Sequence, residues 1–131
     1  MNPASVDIAK LLTDESDLGL TFAEDVFVGK EPAVPNNTIT VFDTPGRPPG
    51  VVLSGSTQYC SPSCQIRVRS VDYLDGWSLI NKIKDVLHGR NNEIVAGTKY
   101  LSIICAQEPF FHDWDAENRV RFITTFDIER V

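Results

Sequence analysis

Arg119-Val-Arg-Phe-Ile-Thr-Thr-Phe-Asp-Ile-Glu-Arg-Val131 alternates apolar and polar side chains almost to the last residue. Side chains of an extended strand repeat every two residues, so Val120, Phe122, Thr124, Phe126 and Ile128 share one face. Arg119, Arg121, Thr125, Asp127 and Glu129 share the other, and only Ile123 breaks the alternation. Chain termini fray unless they are tied into structure, so a strand here predicts a single small domain, residues 1–131, whose working surface involves that sheet.

The remaining segments are read outward from this strand. Asn2-Pro3 has the character of a helix N-cap followed by N1, and Ala4, Ile8, Leu11 and Leu12 recur at helical spacing, predicting a helix over about residues 3–17. Asp25–Gly29 and Thr38–Asp43 read as short strands joined by a Pro/Asn-rich connection, and Thr44–Gly50 as a proline-rich loop. Cys64–Val71 reads as a strand with Ile66 and Val68 on one side and Arg67 and Arg69 on the other. Asp72 is positioned as the N-cap of a helix running to His88, with Gly89 as its C-terminal stop. On that helix Tyr73, Trp77, Ile80, Ile83 and Leu87 form one apolar face, expected to bury against Val120, Phe122, Phe126 and Ile128. Gly76 in its first turn signals a close packing neighbour. Lys99–Gln107 is apolar on both faces and is the expected central strand. The order predicts an α+β fold, a mixed, mostly antiparallel sheet with two helices packed on one face. Such a sheet has edges, which suit the subunit of a ring or filament.

Composition fits one globular domain: 131 residues, 42% hydrophobic and 23% charged. The net charge of −6 is unevenly placed, with residues 1–45 carrying two lysines against eight carboxylates while the remainder is balanced. An acidic chain repels the phosphate backbone, which argues against a duplex-DNA reader. No apolar run approaches the ~18 residues of a membrane span, and Met1–Leu12 lacks the pattern of a signal peptide, so synthesis in the cytosol is expected. Cys60, Cys64 and Cys105 cannot all pair with one another, and free thiols are expected.

No constellation announces catalysis. His88 falls in a last helical turn, where a partial positive charge suits the helix dipole. Asp113, Asp115 and Glu117 are spaced like the first ligands of a calcium loop, but Asn118 and Thr124 stand where that loop needs Gly and Glu. Phe110–Asn118 therefore reads as a solvated hairpin. Cys60 and Cys64 lack two nearby partners for a zinc site. There is no glycine-rich phosphate loop, nucleophile elbow or HExxH pattern, and no cofactor is expected. Arg67, Arg69, Arg119 and Arg121 could gather on one sheet surface. There they would pair with Asp127 and Glu129, or recognise an acidic partner surface such as the N-terminal third of a second copy.

Three segments together resemble the small tail terminator proteins of long-tailed bacteriophages. They are Ile39–Gly46, then Gln65–Tyr73 continuing through the Trp77 helix to Gly89, and Asn118–Arg130. With the first helix the likeness spans nearly the whole chain. The resemblance implies a virion protein without catalytic residues, whose subunits form a hexameric ring on the head-proximal end of the tail tube. That ring would halt tube growth and offer a surface to the head connector, with the tube protein and a head-completion protein as partners. Assembly would take place in the host cytoplasm, no membrane would be involved, and genome DNA would at most pass through the ring. Asp43, Pro45, Arg47, Arg67, Arg69, Phe110, Phe111, Trp114, Arg119 and Arg121 are the candidate interface residues, the aromatics because large apolar groups in a polar loop signal contact. The alternatives are a small acidic host-factor-binding or inhibitory protein and, less in keeping with the scattered polar groups, a small hydrolase or isomerase.

Overall fold

The first helix begins where the sequence places it, yet its cap comes from elsewhere. In the computed structural model, which describes residues 1–15, 17–22, 24–51 and 58–131, helix α1 spans Ala4–Asp14 and is preceded by Pro3, which offers no capping side chain. The orphan amide of Ser5 is satisfied instead by Asp43, whose carboxylate accepts from Ser5 N at 3.0 Å and Ser5 Oγ at 2.6 Å. Asn2 is therefore not the cap; its amide donates to Asp7. Ile8, Ala9 and Leu12 are buried along the inner stripe of α1.

Six strands make one sheet in the order β1-β2-β3-β6-β5-β4: β1 (Val26–Val28), β2 (Thr38–Val51), β3 (Gln58–Ser70), β4 (Arg90–Val95), β5 (Thr98–Trp114) and β6 (Val120–Arg130). Among the strands of the described residues, β1 and β2 pair in parallel and the rest antiparallel. The C-terminal strand, not Lys99–Gln107, is central: β3 flanks β6 on one side and β5 on the other along most of its length. The apolar break at Ile123 marks this, because a central strand is covered on both faces and Ile123 is buried between Arg67 and Phe110 in the register. Strand β5 is flanked by β4 only over Thr98–Ile103, and Ile104 just beyond is exposed.

Three expectations change. Residues 44–50 are not a loop: β2 runs through them with register shifts on either side of Arg47, and β3 starts at Gln58, so the two strands stay paired as a long antiparallel ribbon at the edge of β6. Gly46 sits against β3 so closely that a Cβ there would meet Ser61 O at 2.1 Å. Strand β5 continues through Phe110–Trp114 with several bulges, leaving only the turn after it as the hairpin loop. Residues 90–95, unassigned from sequence, form β4, whose Asn92 adopts a positive φ of 53°.

Helix α2 (Tyr73–Leu87) has the expected ends: the Asp72 carboxylate accepts from Asp75 N at 2.9 Å, and Gly89 takes φ 85°. Ile80, Ile83 and Leu87 are fully buried, and a Cβ at Gly76 would stand 3.0 Å from both Phe122 and Ser70. Tyr73 and Trp77, by contrast, remain 44% and 42% exposed although both rings touch Phe122. The reason is positional. Both rings lie over Phe122, which is paired with Val68 on β3 and Phe111 on β5 near the end of the sheet, and their outer sides have no further cover.

Candidate interaction surfaces

The four arginines do gather, in the register that brings Arg67 and Arg69 on β3 beside Arg121 on β6. Their partners differ from those expected. The Glu31 carboxylate, from the β1–β2 connection, lies 3.0 Å from Arg69, 3.3 Å from Arg121 and 3.5 Å from Arg67. Arg69 also donates to the carbonyls of Asn36 and Pro35, and Arg119 to that of Ala33, so the connection is strapped across the sheet through its backbone. Arg121 grips Asp113 in a two-point fork at 2.6 and 2.7 Å, and Arg119 binds Asp115 at 2.7 Å.

These forks hold both carboxyls below the usual aspartate range. At Asp113 the Arg121 hydrogen bond dominates; at Asp115 desolvation opposes the shift, and the backbone and side-chain bonds from Arg119 outweigh it. The calcium-like spacing of Asp113 and Asp115 is thus spent on guanidinium groups. Asp127 and Glu129 lie farther along β6, near the β2–β3 hairpin, where Ser63 donates to Asp127 and Ser61 and Arg47 to Glu129. An acidic group of the N-terminal third does meet the arginines, but it belongs to the same chain.

A second surface forms around the first two turns of α2. Tyr73, Phe111 and Trp114 pack with ring centroids 6.3–6.4 Å apart, and Trp77 adjoins through Phe122. All four rings keep between 42% and 50% of their surface in solvent, and Leu74 beside them is 72% exposed. Phe110, on the neighbouring β5 position, is also exposed. The sequence marked Phe110, Phe111 and Trp114 but placed Tyr73 and Trp77 in the core. The available signal was their position in the first two turns of a helix entered directly from a strand end.

Asp43 is used internally as the α1 cap, while Pro45 and Arg47 stand exposed on the β2–β3 hairpin. Beneath the sheet, Tyr100 donates to Asp7 and accepts from Arg130 Nη1 at 3.1 Å, and Arg130 Nη1 also donates to Asn2 O at 2.9 Å. This buried network ties α1 to the C-terminal strand. Sequence inspection did not find it, because its members lie up to 128 residues apart. Cys64 is buried beside Asp43, and burial together with that carboxylate pushes its thiol up to about 12. His88 Nδ1 accepts from Cys105 N at 2.9 Å, covering the edge of β5 where pairing with β4 ends.

The sequence profile of the family described as "Bacteriophage tail terminator protein" matches residues 6–130. No curated protein matches the chain in sequence. Among solved structures the fold is similar to a chain from the virion of a native gene transfer agent particle, with a TM-score of 0.68 at 11% identity over 96% of this chain and 92% of that one.

Proposed function

Because this chain belongs to the bacteriophage tail terminator family, we propose that it is a structural, non-enzymatic virion protein whose copies close a ring, a hexamer, on the end of the tail tube. The ring ends tube polymerisation and presents a face to the head-completion or connector protein, at the head–tail junction. The family match over nearly the whole chain carries this reading, and the likeness in fold to a chain of a phage-like particle supports it. Both helices, in this reading, cover a common sheet face, consistent with α1 bonding Asp43 and α2 packing on Phe122. The opposite face, with Arg67, Arg69, Arg119 and Arg121, stabilises the Glu31 segment that shapes the subunit. Contacts to neighbouring subunits and tail partners fall to Pro45 and Arg47 on the hairpin and to Phe110, Phe111 and Trp114 at the far end of the sheet. A ring requires a head-to-tail interface between two different patches that closes after a fixed rotation, and these surfaces are different patches.

Removal of the gene, followed by electron microscopy of particles, tests the reading. Tails of aberrant length that fail to join heads are expected. Normal tails correctly attached would refute it. Replacing Phe111 and Trp114 together by Ser should leave the isolated fold intact and block attachment to tubes.

A further inference from the structure

We propose that the exposed aromatic cluster of one subunit receives the proline-rich strand of a second copy, with Arg47 of that copy set against the acidic start of α2. The inference rests on the ring reading above and specifies its contact. The receiving surface is Tyr73, Trp77, Phe111 and Trp114, each more than two fifths exposed, flanked by the exposed carboxylates of Asp72 and Asp75. Aromatic-lined surfaces take extended proline-rich segments, because proline rings lie flat on aromatic faces and the segment is stiff before it binds. An acidic rim selects a segment that also carries a cation.

This chain offers such a segment. Pro45-Gly46-Arg47-Pro48-Pro49 is exposed throughout, on the side of the hairpin where β2 extends beyond its pairing with β1. Its three prolines have no N–H, so that edge is poorly suited to adding a strand and presents side chains instead. The Arg47 side chain is 57% exposed, and its ion pair with Glu129 is a surface pair of small net value. Glu129 keeps the Ser61 hydroxyl, which is shared between its two carboxylate oxygens, if Arg47 turns away. The other proline segment, Pro32–Pro35, is already held through its carbonyls by Arg69 and Arg119.

Donor and receiver cannot meet within one chain. Arg47 is paired with Ser61 near the start of β3, whereas the cluster lies beside Val68–Ser70 at its end, where Phe122 and Val120 pair with Phe111 and Trp114. At ~3.3 Å per residue the two are roughly 23–30 Å apart along that strand. The contact is therefore between copies and head to tail, the arrangement that generates rings.

The test uses purified full-length protein. Chains carrying Pro48→Cys are mixed with chains carrying Leu74→Cys, both in a Cys60→Ser, Cys105→Ser background so that only the introduced thiols are accessible, and treated with a short bismaleimide linker. A covalent heterodimer should form in yield about tenfold above either variant alone; Arg47→Glu on the first chain should remove that excess, and Asp75→Arg on the second should restore it. All four positions are exposed, so the fold is expected to survive, which circular dichroism checks. A mixture yielding no more heterodimer than the separate variants overturns the contact, as does an excess unaffected by Arg47→Glu. Heterodimer with normal tails after gene removal would instead retain the contact and sink the terminator function.

Discussion

Replacing Tyr100 with Phe removes one oxygen from the buried network that joins the two termini of the chain, with no change in ring shape. Asp7 is 1% exposed and, after losing the phenol, keeps only the Asn2 amide at 3.2 Å. Arg130 loses an acceptor and retains the Asn2 carbonyl. A hydrogen bond to a charged group contributes about 1.5–3 kcal/mol, and a buried carboxylate left short of donors sits at the upper part of that range. No cavity offsets or adds to the loss, so about 2–3 kcal/mol is expected. Unfolding entropy of ~2.1 cal/mol/K per residue over 131 residues converts this into a fall in Tm of roughly 7–11 °C. Calorimetry or thermal circular dichroism at pH 7 measures it. Asp7→Asn combined with Tyr100→Phe should cost less than the two single changes together, by about 1 kcal/mol, because both remove the same bond. A Tyr100→Phe variant melting within about 2 °C of wild type would show that the network carries little of the α1 docking energy and refute the reasoning.

Trp77→Ala should cost about 2 kcal/mol rather than the ~3–5 typical of a fully enclosed tryptophan, since the ring is 42% exposed and the space left opens to solvent; urea melts check this. The Asp113 and Asp115 carboxyls are depressed in the folded state, so their contribution is complete above the ordinary carboxylate range near pH 4 and is lost as pH falls through the depressed values. Urea midpoints should hold from pH 7 to about 5 and then drop, and Asp113→Asn should flatten part of that drop. At the alkaline end the sign reverses, because the raised Cys64 thiol favours the neutral form in the fold. Stability is expected to decline as pH rises from the unfolded thiol's 9.0 toward about 12, and thiol titration at pH 8 should find Cys60 and Cys105 reactive and Cys64 protected until unfolding. Gly46→Ala, whose Cβ would collide with the Ser61 and Pro62 backbone, should cost ~1–3 kcal/mol and shift the β2–β3 hairpin, seen as chemical-shift changes confined to those strands.

Periodicity and capping determined the local elements. The alternation at Arg119–Val131 specified β6, the 3.6-residue stripe with Asp72 and Gly89 specified α2, and the tight spot at Gly76 followed from a glycine in a helical turn. These are one-segment properties, set by sterics and by which face must leave water. The sequence also gathered the four arginines on one surface, since a period of two places alternate residues together. What those arginines bind was decided by tertiary structure, because Glu31 reaches them only when the β1–β2 connection folds back over β3 and β6. Strand order was likewise invisible: a doubly apolar run such as Lys99–Gln107 and an alternating one such as β6 differ in burial only once neighbours are assigned, and β6 took the centre by pairing on both edges. The prolines of residues 44–50 read as a loop, yet Pro45, Pro48 and Pro49 sit within the two register shifts of a long strand, where the ladder to β3 is interrupted and a missing N–H is tolerated. Finally, Tyr73 and Trp77 share the apolar stripe of Ile80, Ile83 and Leu87, yet they meet Phe122 on one side and keep their outer sides in solvent, whereas the later residues of the stripe are fully enclosed. A hydrophobic pattern states which side chains seek cover, and the neighbours that tertiary structure supplies decide which of them receive it.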